Sequence, residues 1–77
     1  MSNYASFSVT FVGDYFSLTH FVELDLDEPS FTNLDDEQLE HEAVEMAKKN
    51  LAYHYGWDLG KIYLNEITVE VDYSPIR

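Results

Sequence analysis

With 77 residues and a formal net charge of −11, the chain has the length of one domain spanning 1–77 and repels nucleic-acid phosphates and anionic lipid heads alike. It has no cysteine, which excludes disulfide staples and cysteine-ligated zinc, and no stretch approaches the ~20 apolar residues of a membrane span. Five Phe, six Tyr and one Trp separate it from disordered acidic chains, which are poor in aromatics.

In chain order, Ala5, Phe7, Val9 and Phe11 alternate with Ser6, Ser8 and Thr10, the period-2 pattern of a half-buried strand. Gly13-Asp14 follows and suits a two-residue type II′ hairpin turn. A second strand is predicted from Tyr15 to about Leu26, with Phe16, Leu18, His20, Val22, Leu24 and Leu26 on its apolar side. Pairing Val12 with Tyr15 sets Phe11 against Phe16, Val9 against Leu18, Phe7 against His20 and Ala5 against Val22. Both apolar sets then share one face, as cross-strand pairing requires. Tyr15, Phe21 and the Ser/Thr set take the other.

Pro29 breaks this strand, because proline cannot donate to a ladder. A helix is predicted from about Asp36 to Tyr55. Asp35 is its N-cap, Gln38 completes a capping box, and Leu34 with Leu39 fits a hydrophobic staple. Leu39, Ala43, Val44, Met46, Ala47 and Leu51 gather on its inner side, while Glu42, Glu45, Lys49 and Ala52 lie opposite. Gly56 suits the C-terminal cap, with Trp57 packing back on the last turn. Asp58 to Leu64 reads as a loop. Ile67, Val69, Val71 and Tyr73 alternate with Thr68, Glu70 and Asp72 in a third strand that Pro75 ends. The expected fold class is α+β, ββαβ: a three-stranded, mostly antiparallel sheet in order 2-1-3 with one helix on one face.

No motif names a reaction. Asp25-Leu26-Asp27 begins like an EF-hand loop but lacks the glycine at loop position 6 and the glutamate at position 12. His41-Glu42 and Glu45 form part of a zinc-helix pattern without its second histidine; an exposed face with Glu45 supporting Lys49 is the simpler reading. His20, on the apolar side, is expected to be hydrogen-bonded or marginal to the sheet, having no nucleophile beside it. His54 suits the negative end of the helix dipole. A single sheet with one helix offers no deep pocket to split the pKa values of paired carboxylates. The expectation is no enzyme, no cofactor and no metal.

What remains is the charge. Val22 to Glu45 holds Glu23, Asp25, Asp27, Glu28, Asp35, Asp36, Glu37, Glu40, Glu42 and Glu45 with no lysine or arginine. The helix dipole accounts for Asp36, Glu37 and Glu40, but not for Glu23, Asp25, Asp27, Glu28, Glu42 or Glu45. A net charge of −11 also exceeds the magnitude of ~2–8 that keeps a small domain soluble. Alternate strand residues advance about 6.6–6.8 Å per step, comparable with successive phosphates on one nucleic-acid strand. Tyr15, Phe21 and Phe31 are candidate apolar anchors beside the acids.

In size, charge and this acid run the chain resembles the small, acidic, cysteine-free inhibitors made by bacteriophages, including DNA-mimic anti-restriction and anti-CRISPR proteins. That resemblance implies a basic, nucleic-acid-binding host protein as partner, in the host cytoplasm. Binding nucleic acid directly is not expected. The N-terminal segment, without basic residues or an apolar run, also fits a cytoplasmic setting. The alternative is a small structural or accessory subunit, monomer or homodimer, that self-associates through its sheet face or a free edge.

Overall fold

The computed structural model describes residues 3–56 and 64–75. Its elements are β1 (Tyr4–Val12), β2 (Ser17–Asp25), a one-turn helix α1 (Pro29–Thr32), α2 (Asp36–Tyr55) and β3 (Glu66–Tyr73). The sheet order is β2-β1-β3, with β1 antiparallel to both neighbours, as the alternation and the crossover through α2 predict. The fold is α+β. The expected loop from Asp58, with Trp57 before it, lies outside the described residues apart from Leu64.

β1 is central, and its inward side chains Ala5, Phe7, Val9 and Phe11 are all buried. Val22, Leu24 and Leu26 of the β2 segment join them. The α2 contribution is one i,i+4 stripe of Leu39, Ala43, Ala47 and Leu51. The two alanines let the helix backbone approach the sheet, while leucines fill the space at either end. Val44 and Met46 flank the stripe, half-buried.

The hairpin differs from its predicted register. Phe11 faces Leu18, Val9 faces His20, Phe7 faces Val22 and Ala5 faces Leu24, two residues on from the expected pairs. Since side chains alternate with a period of two, this slip keeps every residue on its predicted face. The connection is Gly13 to Phe16, closed by Gly13 N–H donating to the Phe16 carbonyl at 2.9 Å. Gly13 does not take the positive φ of a type II′ turn; only Gly56 is left-handed among the described residues. Gly13 is needed for space instead, because a methyl group there would overlap the Phe16 ring.

Both ends of α2 follow local chemistry. Asp35 accepts from the Gln38 main-chain N–H at 2.8 Å, and the Gln38 side chain accepts from the Asp35 N–H at 3.0 Å. Gly56 closes the helix at φ 66°, where a side chain would be strained. The one-turn α1 is a feature the sequence reading took only as a strand break. Pro29 occupies its first turn, and the Thr32 hydroxyl lies 2.9 Å from the Glu28 carbonyl and 3.0 Å from that of Leu26.

Candidate functional site

Strand alternation puts the helix on one face of the sheet, and no described element covers the other. That open face is built in cross-strand rows. Asp25 lies opposite Tyr4, and Glu23 opposite Ser6, whose other neighbour is Tyr73. Ser8 stands between Phe21 and Glu70, Thr10 between Thr19 and Thr68, and Val12 between Ser17 and Glu66. The Thr10 and Thr19 hydroxyls are 2.9 Å apart, and the Ser8 hydroxyl donates to the Asp72 carboxylate. Four carboxylates, Glu23, Asp25, Glu70 and Asp72, thus occupy the end of the face where β1 begins. Glu66 lies at the other end.

Phe21 stands among them and is 72% exposed. An aromatic ring on a polar face, unused by the core, is the kind of group that anchors an interface. No lysine or arginine belongs to the described part of the sheet. The described cations are Lys48 and Lys49, both far along α2. Lys48 pairs with Glu45 at 3.9 Å, in place of the expected Glu45–Lys49 pair. Both partners are partly exposed, so the pair contributes little.

The predicted acid run is not one surface. Glu23 and Asp25 lie on the open face, Asp27 and Glu28 at the turn leaving β2, and Asp36, Glu37, Glu40, Glu42 and Glu45 on α2, in the other layer. Asp25 is partly occupied locally, accepting from the Asp27 main-chain N–H at 3.0 Å. Glu40 borders a groove with Phe7, Leu39 and Val71, while Glu42 borders a shallow depression with Leu34 and His41. Glu45 lies 4.0 Å from His41. Of the three candidate anchors, Phe21 is on the face. Tyr15 stands on the hairpin loop, almost fully exposed, and Phe31 packs half-buried against the core.

Glu66, Glu70 and Asp72 are site residues that sequence reasoning missed. The signal was present: once β3 is placed beside β1, its polar side must join Ser6, Ser8 and Thr10. Attention to the contiguous acid run hid carboxylates that only sheet pairing brings together.

His20 is half-buried, its Nε2 3.3 Å from the Asn50 side-chain amide on α2. That contact ties the edge strand to the helix. Among the described residues, no three His, Asp or Glu side chains converge as a metal-ligand group, and no helix is long and apolar enough to cross a membrane. Comparison with protein families, characterised proteins and solved structures found no match.

Proposed function

We propose that this chain is an acidic protein-interaction module that binds a basic, nucleic-acid-binding protein, in the manner of phage-encoded inhibitors that mimic DNA. One observation carries the reading. A sheet face that no described element covers holds five carboxylates, no described cation and an exposed Phe21 midway along its β2 edge. Neighbouring strands stand about 4.8 Å apart and alternate residues about 6.7 Å apart, so the acids form a lattice rather than a point charge. Such a lattice speeds encounter with a basic surface and sets its orientation, while Phe21 supplies desolvated contact area. The module acts by occupying its partner's nucleic-acid site, without chemistry of its own. Two such faces would meet with like charges opposed, which disfavours self-association through the face.

The test immobilises the chain and captures basic proteins from a bacterial lysate. Binding should weaken steeply between ~50 and ~300 mM salt and be displaced by duplex DNA. Reversing Glu23, Glu70 and Asp72 to lysine should abolish it, because these side chains make no core contact. Unchanged binding and salt dependence in that variant would end this reading.

A further inference from the structure

Among the described residues β2 has a neighbour on one side only, since the sheet order is β2-β1-β3. Which of its main-chain groups are free follows from the ladder. Gly13 N–H donates to the Phe16 carbonyl at 2.9 Å, and Leu26 N–H to the Asn3 carbonyl at 2.8 Å, at opposite ends of the β1–β2 pairing. Both bonds involve odd-numbered residues of the first strand or its extensions. Antiparallel ladders alternate bonded and non-bonded pairs. Ala5, Phe7, Val9 and Phe11 therefore bond to Leu24, Val22, His20 and Leu18. Val12, an even-numbered residue, instead accepts from Asn65 N–H at 2.8 Å on the β3 side. The N–H and C=O groups of Ser17, Thr19, Phe21 and Glu23 must then point outward from β2, as must the N–H of Asp25, whose carbonyl instead accepts from Glu28 N–H at 3.2 Å.

We infer that a second copy of this chain docks on that edge, antiparallel, with the two-fold axis at Phe21. An isologous pair needs a strand that complements itself. About this axis each carboxylate meets a hydroxyl: Glu23 lies opposite Thr19 of the second copy, and Asp25 opposite Ser17. Phe21 meets Phe21 as an aromatic cross-strand pair, which gives its exposed ring a use. On the helix side Leu18 lies opposite Leu24, and His20 opposite Val22. No like charges face one another. The acid ends of the copies lie at opposite ends of the joined strands, which keeps the repulsion between two −11 chains as small as this edge allows.

The other edge is less suited. Pairing β3 with itself about Val69 sets Glu66 opposite Asp72 twice, and like charges directly opposite are destabilising. Its ladder also shifts register between Ser6 and Phe7, a bulge of the kind that blunts edges. β2 carries no bulge, no proline and no lysine along its nine residues. Joined at β2, two three-stranded sheets become one continuous sheet whose open face has Phe21 at its middle. This inference rests on the strand's outer main chain and not on any basic partner.

Sedimentation equilibrium in ~300 mM salt, which screens repulsion, tests it on the full chain. At about 1 mM, the weak end of specific association, the mass should approach twice the 9.0 kDa of one chain. Thr19→Pro removes an N–H that only the dimer uses, and proline is tolerated at such edge positions. It should sediment as a monomer with an unchanged circular dichroism spectrum, whereas Val69→Pro on the opposite edge should still dimerise. Should Thr19→Pro fail to fold, Phe21→Lys decides, since it sets two cations on the axis at an exposed position and should weaken association at least tenfold. A wild-type monomer at every concentration overturns the inference. So does dispersal by Val69→Pro alone, which would move the axis to β3, or a Phe21→Lys dimer as tight as wild type.

Discussion

Phe11 is fully buried on the central strand, opposite Leu18 on one side and Ile67 on the other. Phe11→Ala removes a ring that neighbouring strands cannot replace, so urea denaturation should show a loss of about 3–5 kcal/mol. An unchanged midpoint would mean the ring is not core. The two described glycines are held for different reasons, and substitution should separate them. Gly13→Ala forces the Phe16 ring aside, at a cost of about 1–3 kcal/mol as overpacking, and Phe16→Leu should recover part of it. Gly56→Ala meets no neighbouring atom but must adopt φ 66°, at about 1–2 kcal/mol. There Gly56→Asn should be the milder change, because asparagine tolerates the left-handed region, and no second-site change should rescue the alanine variant. Equal rescue at both positions would remove the distinction.

At the scale of the element, α2 is the one piece whose start, stop and inner face all follow from short-range chemistry. Its capping box satisfies two main-chain donors, and the acids of its first turn sit at the positive end of the dipole. Asp35→Ala should therefore lower stability by about 0.5–2 kcal/mol in a thermal melt, with Asp35→Ser close to wild type. A serine variant as unstable as the alanine one would mean the carboxylate acts through charge rather than as a cap. The hairpin shows what short-range reasoning misses. A turn centred on Gly13-Asp14 and one centred on Asp14-Tyr15 present the same alternating pattern to the core, so face is determined by apolar periodicity but register is not. Register depends on where Gly13 and Phe16 can pack, which is a matter of ring volume rather than turn propensity.

Across the whole molecule the charge is lopsided. Four of the five open-face carboxylates and the acids of the first turns of α2 lie toward the end where β1 begins, and the described lysines lie in the far half of α2. Lys48 pairs with Glu45, and among the described residues the carboxylates far outnumber the two lysines, so negative charge is left in excess. Screening should relieve this repulsion. The melting temperature should rise between ~10 and ~300 mM salt, and most of the gain should vanish when Glu23, Glu70 and Asp72 are replaced together by glutamine. A melting temperature that falls with salt would show favourable pairing to dominate instead.

Period-2 alternation, the capping residues and the i,i+4 apolar stripe determined from sequence alone that three strands and a long helix form, which side of β1, β2 and α2 is buried, and where α2 begins and ends. They suffice because each depends on neighbours a few residues apart. On β3 the expected apolar side stays largely exposed, and the bulge carries Tyr73 to the open face opposite Ser6. The order β2-β1-β3 was legible too, since it shields the short first strand in the centre. Pairing decided the rest. The sequence presents Glu23 to Glu45 as one acid run, yet the change from strand to helix divides it between two layers. Glu70 and Asp72 follow Glu23 by more than forty residues but share its face, because hydrogen bonding through β1 fixes which distant side chains become neighbours. The same ladder decides that the outward main-chain groups of β2 belong to the residues whose side chains line the open face. Local periodicity sets which way a side chain points; only the joining of strands sets what it stands beside.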